Sequence, residues 1–187
     1  MSFLDPGETG GRQRADGDLG VVQAFLNTHD LEDGVDRVAS PDLLGRFLAE
    51  KGWLQPRARI GADQHQRALA LREALRGLLE ANSGRPVPAS AWMVLRAEAG
   101  RASLLTALSP RGGPPASFEM ALERLLTTVA QAQADGRWRR LKTCASDACR
   151  WAYYDRSRNR ASRWCAMGVC GSRVKMRAYR RRRAAAR

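Results

Sequence analysis

The chain has 187 residues, 44% of them hydrophobic, and a net charge of +13. That length holds one ordinary domain plus a small appendage, and no stretch nears the ~18 consecutive apolar residues of a membrane-spanning helix, so no membrane partner is expected. The charge is lopsided: residues 137–187 carry 17 Lys+Arg and 2 Asp+Glu, a net of +15, leaving residues 1–136 at −2, and a near-neutral body with one cationic end is the footprint of polyanion binding.

Residues 1–17 are Gly- and charge-rich and predict disorder. They show no positively charged start followed by an apolar run, so a cytoplasmic, nucleoid-associated protein is expected. From Asp18, Leu19, Val22, Phe25 and Leu26 fall at helical spacing. Ser40-Pro41 signals an N-cap and first turn, with Leu43, Leu44, Phe47 and Leu48 on one face and Gly52 as a stop. Asp63-x-x-Gln66 resembles a capping box and opens a helix striped by Leu71, Leu75, Leu78 and Leu79, ending at Asn82-Ser83-Gly84. A further helix is expected over 89–99, a short strand over 103–108 and a loop over 111–115. Ser117 then caps a helix bearing Phe118, Leu122, Leu125, Leu126 and Val129, closed by Asp135-Gly136. The fold class is mainly α, α+β overall: a helical domain over 18–136, then a small module over 137–187.

That module holds all four cysteines, Cys144-x4-Cys149 and Cys165-x4-Cys170, separated by fifteen residues. Two close pairs across a longer stretch is the spacing of a four-thiolate tetrahedral zinc site, each pair making one tight turn around the metal. About fifty residues bury too little to fold unaided, so a staple is expected where the cysteines stand. In a reducing compartment paired cysteines are ligands more often than disulfides. Four thiolates also close the coordination sphere, which makes the zinc structural and no enzyme is expected. Around the ligands, Trp151-Ala-Tyr-Tyr is β-prone, Asp155–Asn159 is a turn, and Trp164-Cys165 is the expected returning strand. After Gly171 the chain has no breaker, which predicts a helix with Cys170 at its N-terminus, where the dipole favours a thiolate. Knuckle, hairpin and helix make a treble-clef-like module.

The run LKTCASDACRWAYYDRSRNRASRWCAMGVCGSRVKMRAYRRRR, residues 141–183, resembles the CGNR zinc finger of bacterial transcription regulators. Both cysteine pairs, the aromatics after Cys149, the D-R-S-R-N turn and the Trp-Cys step carry the likeness, while the family's Cys-Gly-Asn-Arg reads Cys170-Gly171-Ser172-Arg173. LGVVQAFLNTHD, PDLLGRFLAEKGW and ALALREALRGLL resemble, in order, the ABATE domain that precedes this finger. The resemblance implies a proposed stress-induced regulator.

The basic residues fall in two groups. Arg156, Arg158, Arg160 and Arg163 lie on the turn and return strand, and Arg173, Lys175, Arg177 and Arg180 on the C-terminal helix. A solvated surface is the plain alternative, but seventeen cations against two anions ask for a counter-charge, and arginine's fork suits phosphate and guanine. Arg173 and Arg177, nearest the zinc, are the expected base readers, and duplex DNA the expected partner. Single-stranded RNA is the rival: Trp151, Tyr153, Tyr154 and Trp164 either stack on unpaired bases or form the small core beside the metal. A zinc-thiolate redox switch and an adaptor for acidic proteins are further readings. His29 and His65 read as surface residues. Asn27-Thr28 and Arg72-Glu73, polar beside apolar faces, either line an effector pocket or form a core hydrogen-bond network. Sensing of a small molecule or homodimerisation is the role expected of the body.

Overall fold

The computed structural model describes residues 11–101 and 117–185. The expected strand at 103–108 and loop at 111–115 lie outside the described residues. Among the described residues five helices make the body: α1 (Gly17–Leu26), α2 (Pro41–Glu50), α3 (Ala62–Glu80), α4 (Ala89–Arg101) and α5 (Phe118–Ala134). A two-residue hairpin, β1 (His29–Asp30) antiparallel to β2 (Val35–Asp36), bridges α1 and α2 with His29 opposite Asp36.

The helices begin where their caps dictate. Ser40 Oγ accepts the Leu43 N–H at 3.3 Å with Pro41 in the first turn, and Ser117 Oγ does the same for Met120 at 3.3 Å. At α3 the start moves forward. Gly61 is the N-cap, and Gln64 at the third position reaches back to the Gly61 N–H at 2.9 Å, so Asp63 sits inside the first turn instead of capping it. Leu71, Leu75 and Leu79 then repeat every four residues on one face and are fully buried. They meet Phe25 and Leu26 of α1, Leu44 and Phe47 of α2, and Leu122, Leu125 and Val129 of α5 in one core. Burial of each such leucine stabilises the fold by ~1.5–3 kcal/mol, and Leu75→Ala would cost ~2–5 kcal/mol with the cavity included.

Residues 11–16 are not the disordered tail expected through residue 17. Ala15 is buried, its N–H bonds Gln23 Oε1 at 2.8 Å, and a Cβ on Gly20 would stand 2.4 Å from the Ala15 carbonyl oxygen, so only glycine admits the segment. His65 is likewise interior, its Nε2 2.8 Å from the Val38 carbonyl oxygen, because α3 turns that position under the α2 approach. No helix among the described residues is long and apolar enough to cross a membrane.

The C-terminal module opens with a 3-10 turn (Trp138–Arg140) and β3 (Leu141–Thr143), followed by β4 (Ala152–Tyr154), a π-helical turn (Met167–Gly171) and α6 (Ser172–Ala185). A helical N-terminal region followed by a small cysteine-rich module is thus the architecture. The hairpin is placed differently from the expectation. β4 pairs antiparallel with β3, Thr143 opposite Ala152 and Leu141 opposite Tyr154, so the first cysteine pair is the hairpin's loop. Trp164-Cys165 forms no strand, because the segment after β4 is organised by a buried side chain instead of a ladder.

Module and body are packed against each other along β4. Successive strand side chains face opposite ways: Trp151 and Tyr153 enter a cluster with the four cysteines, while Ala152 and Tyr154 pack on the body. Trp138 and Leu141 join the body's core too. Asn27 clasps Ala152 at both ends, Nδ2 donating to its carbonyl and Oδ1 accepting its N–H, each at 2.8 Å. Asn82 Nδ2 donates to the Trp138 and Leu141 carbonyls at 2.7 and 2.9 Å, and the Thr143 N–H donates to Ser83 Oγ at 3.2 Å. The module is a docked one.

Candidate metal centre and basic surface

The first two sulfurs hang from a knuckle closed at its neck by the Cys144 N–H to Trp151 carbonyl bond of 2.9 Å. Within it the Cys149 and Arg150 N–H groups both bond the Ser146 carbonyl at 3.0 Å, and Arg150 takes a left-handed φ of 45° to return the chain into β4. The second pair frames the π-helical turn, where the Cys170 N–H reaches the Ala166 carbonyl at 3.0 Å. Gly171 leaves room there for two side chains: a Cβ would lie 2.5 Å from Met167 Sδ and 3.2 Å from Trp164 Cδ1, so Met167 would have to shift. Ser172, where the finger family has asparagine, donates from Oγ to the Met167 carbonyl at 3.2 Å and so ties the turn to α6.

All four Sγ atoms lie within 4.8 Å of one another, with Cys149–Cys165 at 3.8 Å and Cys165–Cys170 at 3.6 Å. Zn–S bonds of ~2.3 Å put tetrahedral sulfurs about 3.8 Å apart, so this spacing fits one zinc ion and is far too long for a disulfide. The chemistry of the donors asks for the cation as well. Hydrogen bonds from Cys149 and Cys165 hold the Cys144 thiol down at about 2 despite burial. Cys149 and Cys165 are pushed up by bonding to that sulfur, Cys165 to about 12, and burial raises Cys170. Buried thiolates this close repel one another. A divalent ion lets all four ionise. Zinc held here supplies structural cross-linking, and Trp151, Tyr153, Trp164 and Val169 pack around the sulfurs as the module's own core.

Next to this core the arginine-rich segment is knotted to a buried ion pair. Lys142 Nζ meets Asp155 Oδ2 at 2.8 Å, both nearly out of solvent, and also donates to the carbonyls of Arg160 at 2.5 Å and Ser162 at 3.5 Å. Asp155 in turn accepts the N–H groups of Ser157 at 3.0 Å and Ser162 at 3.1 Å. Burial pushes its carboxyl up, but Lys142 and Ser157 outweigh this and hold it below 3.8. Tyr153 Oη donates to the Ser162 carbonyl at 2.6 Å, and Arg140 donates to the carbonyls of Asp155 and Ser157. With its inner polar groups consumed, the loop turns Arg156, Arg158, Arg160 and Arg163 outward, all exposed. Arg156 is tied to Asp16 at 2.8 Å and lies 5.4 Å over Tyr154, and Arg163 lies 5.7 Å over Trp164. Arg158 and Arg160 have no carboxylate partner among the described residues.

On α6, Arg173, Lys175 and Arg180 are exposed, together with Met176 and Tyr179. Arg173 pairs with Glu32 at the tip of the β1–β2 hairpin. The side chain of Arg177 lies outside the described residues. Asn27 and Arg72 are not brought to the metal or to the basic face. Asn27 clasps Ala152 as described, and buried Arg72 spreads its fork over Asp36 at 2.7 and 2.8 Å, Glu73 at 2.9 Å and Thr28 Oγ1 at 3.1 Å.

Sequence reasoning missed Lys142, Asp155 and Arg76. Arg76 is buried, donates to the Leu26 and His29 carbonyls, and reaches the Arg150 carbonyl at 3.4 Å beside the first knuckle. Arg72 and Arg76 sit one turn apart on a leucine-rich helix, which was a visible sign that one buried stripe carries charge.

The CGNR zinc finger family matches residues 140–183, and a family described as "Putative stress-induced transcription regulator", ABATE, matches residues 19–148. No curated protein matches the chain.

Proposed function

The chain belongs to the ABATE family, with a CGNR zinc finger at its C-terminal end, and from that membership we propose that it is a regulator whose zinc-stapled module grips duplex DNA. The observation that carries this reading is the basic face itself: a net of +15 over residues 137–187, with the loop arginines and the exposed cations of α6 displayed around one rigid core. Loop and helix offer arginines to phosphates, which position a protein on a duplex, and a subset to base edges, which specify it. Trp151 and Tyr153 are buried against the sulfurs, which supports a duplex over single-stranded RNA, since stacking on free bases needs exposed rings. The metal is closed by four thiolates, so the function is binding and not catalysis. The body serves sensing or dimerisation. Asn27 and Arg72 spend their donors on protein partners, which favours a core network over an effector pocket for these two residues.

The deciding experiment measures affinity for duplex DNA, single-stranded RNA and structured RNA at one salt concentration. Duplex DNA is expected to bind best, with a slope of about −0.9 in log K against log[salt] per phosphate neutralised. Tighter binding of either RNA would move the function to the other polymer.

A further inference from the structure

We propose that the loop Arg156–Arg163, and not α6, discriminates bases, with Lys142 and Asp155 as the residues that position it. The inference rests on the reading of the module as a duplex-binding one and deepens it by naming the specificity element.

Three observations converge. First, the loop is fixed from inside. Asp155 takes the N–H groups of Ser157 and Ser162, and Lys142 takes the carbonyls of Arg160 and Ser162, so both feet of the loop are closed on a single pair. Tyr153 and the knuckle add two more ties, Tyr153 Oη to the Ser162 carbonyl at 2.6 Å and the Ala145 N–H to the Arg163 carbonyl at 2.8 Å. Second, burying a lysine and an aspartate is costly, and apolar residues of like volume often serve stability as well or better. What an ion pair adds is geometry, because it satisfies four backbone groups that face inward with no strand partner. Third, the exposed guanidiniums are graded. Arg163 is laid on Trp164 and Arg156 on Tyr154, which limits their motion, while Arg158 and Arg160 project from a backbone held at Ser157 and Ser162. Stacked arginine forks lose little freedom on making a bidentate contact, and a fork on a pinned backbone reaches out from a fixed root.

α6 lacks these features. Beyond Ser172, the described side chains of the helix make one polar tie to the rest of the protein, that of Arg173 to Glu32, and this engages the arginine nearest the zinc. Lys175 and Arg180 are exposed and untied, suited to attracting phosphates from several directions.

A preferred duplex is first selected from random sequence with the wild-type protein, and each variant is then measured on that duplex and on a random one, with zinc content as the fold control. Arg158→Ala is expected to lower the ratio of preferred to random affinity by about five- to 150-fold, the range of one lost bidentate contact. Asp155→Asn is expected to lower the same ratio about tenfold while zinc content and random-sequence affinity stay within about twofold. Damage to the fold alone would lower all three together. Arg180→Ala should weaken both duplexes alike. If Asp155→Asn loses zinc, Arg158→Ala decides alone. A ratio that falls with Arg173→Ala or Arg180→Ala and stays put with Arg158→Ala overturns the inference, as does a wild-type protein that binds duplex DNA with no sequence preference. Tighter binding to RNA than to any duplex overturns instead the reading beneath it.

Discussion

Asn27→Leu is the most direct probe of how module and body hold each other. The substitution keeps the side-chain volume and removes both polar ends, so no cavity is opened for water to repair the loss. The Ala152 carbonyl keeps a partner, Gln23 Nε2 at 3.0 Å, whereas its N–H loses the Asn27 Oδ1 bond of 2.8 Å and stays buried. A buried N–H without a partner costs ~1–3 kcal/mol and the second lost bond about 1 kcal/mol more, for a total of ~2–4 kcal/mol. For a protein of this size that lowers Tm by roughly 5–15 °C. Far-UV circular dichroism follows the helices, and a chromogenic chelator follows zinc release. Both are expected to move, because Ala152 lies in the body's core while its neighbours Trp151 and Tyr153 pack on the sulfurs. Gln23→Ala should cost a similar amount, because the buried Ala15 N–H loses Gln23 Oε1, and combined with Asn27→Leu more than the sum, since the Ala152 carbonyl then loses every side-chain partner. An unshifted melt with faster chelation would refute the shared seam and return the module to independence.

Purified protein should carry one zinc per chain by atomic emission, and Cys165→Ser should abolish stoichiometric binding, since structural zinc contributes ~10–16 kcal/mol in small fingers. Chelation should also lower the helical melting temperature, an effect absent if the module only hangs from the body. Replacing Lys175 and Arg180 together with alanine should flatten the salt dependence of duplex binding by up to about 2 units of slope, read by fluorescence anisotropy across a salt series. Burial pushes the Asp36 carboxyl up, but the forked bond from Arg72 outweighs it and holds the group below 3.8. A depressed folded pKa contributes stability that is present above the unfolded value and lost as pH falls through the folded one, so denaturation midpoints should drop below about pH 4. Asp36→Asn should flatten that acid limb and cost roughly 2 kcal/mol at pH 7, less than the ~3–5 of a fully broken buried pair because Glu73 still faces Arg72.

The zinc ligands were legible because metal coordination writes itself into local spacing: two close pairs, each with four residues between, aim their thiolates at one point. Helix positions were legible for the same reason, with Ser40 and Ser117 marking starts that the structure keeps. Legibility failed where the partner is remote in sequence. Asn27 finds Ala152 across 125 positions, and a polar residue beside an apolar face looks alike whether it lines a pocket or clasps a strand. It failed as well where both faces of an element are buried. Trp151-Ala-Tyr-Tyr reads as an unbroken β-prone run, since a strand enclosed on two sides loses the polar alternation that would reveal its faces. Its partner, Leu141-Lys142-Thr143, is too short and too polar to register, which leaves Trp164-Cys165 as the strand-like candidate in the sequence. At α3 the cap is Gly61, whose missing side chain leaves only Gln64 to mark the boundary.

β4 is where the two halves become one object. The family matches overlap over residues 140–148, which span the end of the 3-10 turn, β3 and most of the first knuckle. β3 lies against Asn82 and Ser83 at the end of α3, and β4 against Asn27 at the end of α1. Between them Arg150 is held from α3 by Arg76 and Glu80, one residue after the ligand Cys149. The backbone that aims two of the four sulfurs is therefore gripped by α1 and α3 together. A displacement of one helix against the other strains these contacts, and the Asn27–Ala152 bonds, fully buried, leave unpaired groups when lost. The metal thus orders the module from one side of β4 while the leucine core of the body orders it from the other, and the arginine loop stands on the same strand, one residue beyond its end at Asp155.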